Sequence, residues 1–174
     1  MTKPSLPTRR QLLASAPLAL LGTVISTSAA ANAGEQAASD AFSDSAWRRL
    51  SDAAWRSRLS PAAYDVLRRE GTERPFTSPL NDEKRDGVFA CAGCQLPLFE
   101  SRTKYDSGTG WPSFFDVIDG AVGTKTDRRL WMVRTEYHCA RCLGHQGHVF
   151  PDGPAPTGLR YCNNGVALIF IPSA

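Results

Sequence analysis

No acidic residue occurs among the first 33 positions of this 174-residue chain, and no cysteine precedes Cys91. The first absence leaves Lys3, Arg9 and Arg10 uncompensated ahead of an uncharged apolar run that ends at Ala30. The second excludes a lipoprotein anchor, which requires a cysteine directly after such a run. Thr8-Arg9-Arg10-Gln11-Leu12-Leu13, the run itself and the small-residue site Ala31-Asn32-Ala33 read as a twin-arginine export signal over residues 1–33. Pro17, Gly22 and several Ser and Thr interrupt the run, so cleavage after Ala33 is favoured over a retained transmembrane anchor. The expectation is an exported, periplasmic protein that meets the twin-arginine translocase on its way out.

Without that segment the chain lacks net charge as well. The 141 residues from Gly34 onward suffice for one domain with one core. Losing three basic residues and no acid takes the formal charge from +3 to zero, with the two signs interspersed. A nucleic-acid partner needs clustered Lys and Arg on the folded domain, so nucleic acid is excluded as a leading partner. Residues 34–44 are small and polar and read as a flexible leader, with the folded domain spanning 45–174.

Cysteine is scarce, and its five copies are of two kinds. Four form Cys91-x-x-Cys94 and Cys139-x-x-Cys142, separated by 44 residues, and Cys162 stands alone near the C-terminus. Two thiolates two residues apart grip one side of a tetrahedral Zn2+ at about 2.3 Å, and a second pair closes the shell. Cys91, Cys94, Cys139 and Cys142 are therefore candidate ligands of one structural zinc. A closed four-thiolate shell has no open position for substrate, which leaves Cys162 as the thiol available for chemistry. Export in the folded state allows zinc to be bound in the reducing cytoplasm. A disulfide within either Cys-x-x-Cys would close only a small loop and stabilise little.

Trp47, Leu50, Ala54, Trp55 and Leu59 recur at helical spacing, with the tryptophans read as core or docking residues. Ser60-Pro61 then starts a second helix, Ser60 as N-cap and Pro61 in the first turn, which ends at Gly71. From Phe76 onward turn residues become dense, and strands are expected at Gly87–Ala90, Leu98–Glu100, Trp131–Tyr137, His148–Phe150, Arg160–Cys162 and Ala167–Ile171. The fold class is mainly β: antiparallel strands in a zinc-stapled sheet or sandwich core with short N-terminal helices. Each Cys-x-x-Cys is expected on a turn between strands.

Five motifs in order carry a family resemblance. They are Gly71-Thr72-Glu73-Arg74-Pro75-Phe76, Cys91-Ala92-Gly93-Cys94, Asp106 to Phe114, Gly147-His148-Val149-Phe150 with Asp152-Gly153-Pro154, and Arg160-Tyr161-Cys162 with Asn164. Together they resemble the peptide-methionine (R)-S-oxide reductases, the B-type methionine sulfoxide reductases, from about Leu59 to Phe170. The resemblance implies an oxidoreductase of protein repair under oxidative stress, acting on oxidised proteins or peptides and recycled by a thioredoxin-like or other thiol reductant.

Sulfoxide reduction needs a thiolate aimed at sulfur, an acid near oxygen and an apolar cage for the methyl group. Cys162 is the candidate nucleophile, passing through a sulfenic acid. His145 and His148 are candidates to deliver protons or hold the oxygen. By resemblance both match the family's active-site histidines, Asn164 its orienting amide, and Trp111 the ring of the methyl pocket. Arg160 and Asp152 match its supporting, substrate-side shell. Each also admits a plainer role: Cys162 or Trp111 as core, the histidines as surface residues, Arg160 as an ion-pair partner. A catalytically silent, zinc-stapled binding module is the alternative function.

Thr109 stands where many members carry a resolving cysteine, so the resemblance points to the one-cysteine branch, with the sulfenic acid reduced directly by an external thiol. Asn163 and Gln146 stand where aliphatic residues are usual, and Gly165 where serine is common. Asn163 and Gly165 bear on rate and substrate preference, whereas Gln146 has no evident catalytic consequence.

Overall fold

The computed structural model describes residues 41–129 and 132–174. The export signal and most of the leader lie outside the described residues, as does Trp131. Among the described residues no helix is long and apolar enough to cross a membrane.

The expected first helix is broken in two. A 3-10 turn, Ala46–Arg49, stops at Leu50, which is extended, and helix α1, Asp52–Arg58, begins after Ser51. The break follows from Ser51, whose Oγ accepts from Ala54 N at 3.2 Å and so caps a new helix where the spacing suggested continuity. Helix α2, Pro61–Arg69, is as expected: Ser60 Oγ accepts from Ala63 N at 3.2 Å and Pro61 opens the first turn. Its end is a left-handed Glu70, one residue before Gly71. The helices bury Trp55, Ala63, Tyr64, Val66 and Leu67.

Nine strands follow among the described residues, and every pairing is antiparallel. They are β1 Gly87–Cys91, β2 Pro97–Glu100, β3 Lys104–Tyr105, β4 Ser113–Phe114, β5 Val122–Asp127, β6 Arg134–Cys139, β7 His145–Phe150, β8 Arg160–Asn163 and β9 Leu168–Pro172. One sheet has the order β2-β1-β9 and the other β3-β4-β8-β7-β6-β5. The core is aromatic: Phe99 stacks on Phe114 at 4.1 Å, Phe89 meets Phe114 edge-on at 5.0 Å, and Tyr137 meets Tyr161 edge-on at 5.3 Å.

The six expected strands are present with shifted ends, and β3, β4 and β5 are additional. The first two have two residues each, too few for any periodicity to register. Strand β5 is an edge strand whose outer half, Thr124–Asp127, is only partly covered, so its sequence lacks an apolar run.

One irregularity positions the site. Along β6 and β7, Tyr137 faces Gly147 but His138 faces His145, so Gln146 is an extra residue in β7. Residues three apart on a regular strand point to opposite faces, and a one-residue bulge resets that phase. The rings of His145 and His148 accordingly lie 5.5 Å apart.

Candidate active site and metal centre

Each Cys-x-x-Cys lies on the turn of a hairpin, the first between β1 and β2 and the second between β6 and β7. The hairpins belong to different sheets, so the four sulfurs staple one sheet to the other. All four cysteines are at most 2% exposed. Cys91 Sγ is 3.6 Å from Cys142 Sγ, Cys94 Sγ is 3.5 Å from Cys139 Sγ, and all four sulfurs fall within 4.8 Å of one another. Metal–thiolate bonds of about 2.3 Å in a tetrahedron separate sulfurs by about 3.8 Å, so the spacing fits a metal ion.

The chemistry around the sulfurs fits as well. Arg141 Nε donates to Cys94 Sγ at 3.4 Å and Gln146 Nε2 to Cys91 Sγ at 3.3 Å, contacts that favour thiolate. Hydrogen bonding with Cys139 holds Cys94 and Cys142 below the ordinary thiol range, while Cys91 and Cys139 are pushed up. Four sulfurs this close compete for protons, and a bound cation removes the competition. The helices close the site from outside. Arg48 donates to Ala140 O at 2.7 Å and Arg68 to Cys142 O at 3.1 Å, and a Cβ on Gly93 would meet the Trp55 ring at 3.3 Å.

The fifth cysteine has a different setting. His148 and Cys162 are direct partners across β7 and β8, so their side chains share a face. The strands approach so closely here that a Cβ on Gly147 would lie 1.9 Å from Cys162 O, which restricts that position to glycine. Cys162 is half-buried and lines a cavity of about 130 Å³ with Thr72, Trp111, Arg134, His148, Phe150 and Asn164 among its walls.

Burial pushes the Cys162 thiol up, and the Arg160 charge with hydrogen bonds from Thr109 and Arg160 opposes that rise. Arg160 is held by two bonds to Asp152, at 2.9 and 2.8 Å, and its guanidinium stacks over the Phe150 ring at 4.5 Å. Neither Arg160 nor Asp152 lines the cavity; they act on it through charge and through Phe150. Burial likewise lowers the His148 pKa, opposed by the Asp127 carboxylate 2.8 Å from Nε2.

His145 is placed elsewhere than the expectation. It is 3% exposed and absent from the cavity wall, with Nδ1 3.0 Å from Glu136 Oε1. Its ring lies 5.5 Å from that of His148, which does line the cavity. Asn164 does line the cavity, and both ends of its amide are engaged: Oδ1 accepts from Glu73 N at 3.0 Å and Nδ2 donates to Gln146 O at 3.0 Å.

Three charged residues that sequence reasoning passed over complete the site. Glu73 is a hub: its carbonyl accepts from Trp111 Nε1 at 3.1 Å, and its carboxylate accepts from Gly165 N and Val166 N. One residue thus fixes the indole wall and the segment after Asn164. Asp127 accepts from Arg134 at 2.6 Å and from His148, and the backbone N–H of Arg129 followed by the His148 contact holds its carboxyl well below the usual range. Arg134 lines the cavity, and its Nε has no hydrogen-bond partner. Glu73 falls inside a quoted motif, which was a usable signal. Nothing local marks Asp127, which reaches His148 across 21 residues.

Two departures also find a physical setting. A Cβ at position 165 would lie 1.9 Å from Ser78 Oγ, so the Ser78 hydroxyl occupies the space a serine there would need. Thr109, hydrogen-bonded to Ser107 at 2.8 Å, presents its hydroxyl to Cys162.

Residues 59–172 match the model of the SelR domain. The chain is 56% identical over 117 residues to a peptide methionine sulfoxide reductase MsrB of Pseudomonas putida (strain GB-1), covering 67% of this chain and 89% of that protein. It is 55% identical over 116 residues to the protein of the same name from Agrobacterium fabrum, covering 66% and 86%. The corresponding protein of Thiobacillus denitrificans is 54% identical over 117 residues, covering 67% and 89%. Among solved structures, the Mis18 "Yippee-like" domain aligns with a TM-score of 0.42 at 19% identity, over 52% of this chain and 99% of that one.

Proposed function

This chain belongs to the SelR-domain family of peptide methionine sulfoxide reductases, and we propose that it reduces the R epimer through Cys162 and one external thiol couple. The observation that carries the reading is the half-buried Cys162 directly across from His148 in a cavity walled by Trp111. The Cys162 thiolate attacks the sulfoxide sulfur while the sulfoxide oxygen takes a proton. The substrate S–O bond then breaks as its hydroxyl passes to the Cys162 sulfur, the bond between the two sulfurs breaks with its electron pair returning to the methionine sulfur, and Cys162 is left as a sulfenic acid. Two external thiols return it to thiol, giving their own disulfide and water.

Each neighbour has a task in that sequence. Arg160, clamped by Asp152, favours the thiolate against burial. His148 is the proton donor in the cavity wall, and the Asp127 carboxylate at Nε2 fixes its ring and offsets part of the lowering that burial imposes on its pKa. His145 is a positioning residue behind it. Trp111 and Phe150 supply the apolar wall for the methyl group, and Asn164 orients the substrate from a position locked by Glu73 and Gln146.

Cys91, Cys94, Cys139 and Cys142 would hold Zn2+, which would supply folding free energy rather than a position for substrate. Thr109 leaves Cys162 without a resolving thiol, so one turnover without reductant ends at a sulfenic acid that a dimedone-type probe traps. Export through the twin-arginine pathway accompanies this reading, and N-terminal sequencing of the periplasmic form should begin at Gly34.

The test is an assay of the purified protein with separated R and S epimers of a peptide methionine sulfoxide, using dithiothreitol as reductant. The expected result is turnover of the R epimer alone. Equal turnover of both epimers would overturn the stereochemical assignment. A rapid disulfide between Cys162 and a cluster cysteine would overturn the one-cysteine cycle.

A further inference from the structure

We propose that Gln146 and Asn163 form a buried amide relay through which the metal-binding cluster and the Cys162 strand set each other's geometry. Both side chains are fully buried. Asn164 O can only accept, which sets Asn163 Nδ2 towards it and leaves Oδ1 to accept from Tyr137 OH at 2.6 Å. That Nδ2 donates to Asn164 O at 2.7 Å and towards Gln146 Oε1 at 3.5 Å, the longest link. With its oxygen so engaged, Gln146 turns Nε2 to Cys91 Sγ at 3.3 Å.

Every donor in this chain points the same way, from Tyr137 through Asn163 and Gln146 to sulfur. Such chains polarise one another, and this one is complete when the last acceptor is a thiolate. The main chain of Gln146 joins the other end of the device. Its carbonyl accepts from both Asn164 N at 2.9 Å and Asn164 Nδ2 at 3.0 Å. A single residue, the bulged one in β7, thus orients a cluster cysteine with its side chain and the cavity amide Asn164 with its backbone. Asn163 directly follows Cys162 and is pinned by its N–H to Pro112 O at 2.9 Å, next to Trp111.

The two sequence departures are therefore one feature. Gln146 without Asn163 would leave its buried Oε1 short of a donor, whereas Asn163 holds it from a position fixed by Tyr137 and Asn164. Gln146 and Asn163 are positioning residues for the reaction assigned above, and that part rests on the reading of Cys162 as nucleophile. Hydrogen bonds to ligating groups of this kind change metal affinity by about 10–100-fold.

The test uses the zinc-loaded protein and follows metal transfer to a chromophoric chelator beside turnover. Gln146→Met should release metal about tenfold faster. Asn163→Leu, which alters no group touching a cluster cysteine, should also release it faster, and the double variant no faster than Gln146→Met alone. Both single variants should lower kcat with KM nearly unchanged. A wild-type release rate in Asn163→Leu, or effects that multiply in the double variant, would overturn the relay.

A second measurement does not depend on Asn163→Leu folding. Carboxamidomethylation of Cys162 should change the metal-release rate in the wild type and leave it unchanged in Gln146→Met. An equal change in both proteins, or none in the wild type, would overturn the proposal. Absence of wild-type turnover in the epimer assay would instead overturn the functional reading. With turnover present, these outcomes bear on the relay alone.

Discussion

The cysteine cluster and the Cys162 cavity lie in one sandwich and are built on opposite principles. The cluster is made of two local units, each a hairpin turn that presents two sulfurs, and its four ligands are all but excluded from solvent. The cavity draws its walls from Thr72 and Trp111 in loops and from Arg134, His148, Phe150 and Cys162 on β6, β7 and β8, places far apart in the chain that only the tertiary fold brings together. A site whose function is stability profits from burial and a closed donor set. A site whose function is turnover must leave its thiol half-open, and it carries the cost of a thiol pushed up by burial and drawn down again by Arg160.

Substitutions that damage one region and spare the other sharpen this contrast. The largest effect is expected for Cys162→Ser, which should abolish turnover of the peptide sulfoxide while thermal stability and zinc content stay at wild-type values. Loss of zinc in that variant would break the separation between the regions. Cys91→Ser or Cys139→Ser should do the reverse, lowering metal content and unfolding free energy together by several kcal/mol, since metal binding is folding free energy in sites of this type. Denaturation of the zinc-depleted protein checks it, and unchanged stability would remove the cluster's structural role.

His148→Ala comes next, with kcat reduced by about 10²-fold and KM little altered, as expected for proton delivery in the transition state. An unchanged kcat would assign the ring to packing. Arg160→Met removes the charge that opposes burial at Cys162, so the thiol should titrate higher still. Its alkylation by iodoacetamide at neutral pH slows accordingly, because less thiolate is present below the raised midpoint. A midpoint that moves down, or not at all, would free Cys162 of Arg160's influence. The smallest change in rate is expected for Thr109→Cys. Position 109 touches Cys162, so one turnover without reductant should end in a Cys162 disulfide detectable by mass spectrometry rather than in a dimedone adduct.

The cluster was the more legible region because its information is local. A Cys-x-x-Cys states both ligands and their spacing, and Ser60-Pro61 similarly states where α2 begins. The continuous helix expected before it failed at Ser51, where a side-chain cap competes with helix continuation. Within the cavity, the motifs named Cys162, His148, Asn164 and Trp111, which the structure gathers around one cavity. His145 was named with them and lies behind, because the histidine spacing alone does not reveal how the Gln146 bulge sets depth as well as face.

The sequence by itself determined the composition of the molecule's two sulfur sites, the mainly β character, the N-cap of α2 and the absence of a cysteine at position 109. Those features reside in spacing and in short-range hydrogen bonding, which a chain carries wherever it is placed. Only the tertiary structure decided that Asp127 faces His148, that Glu73 ties Trp111 to the segment after Asn164, and that Gln146 meets both Cys91 and Asn163. These contacts join residues 17 to 92 positions apart across separate strands and loops. Their pairing follows from strand register and from one extra residue in β7, neither of which has a signature in the residues themselves.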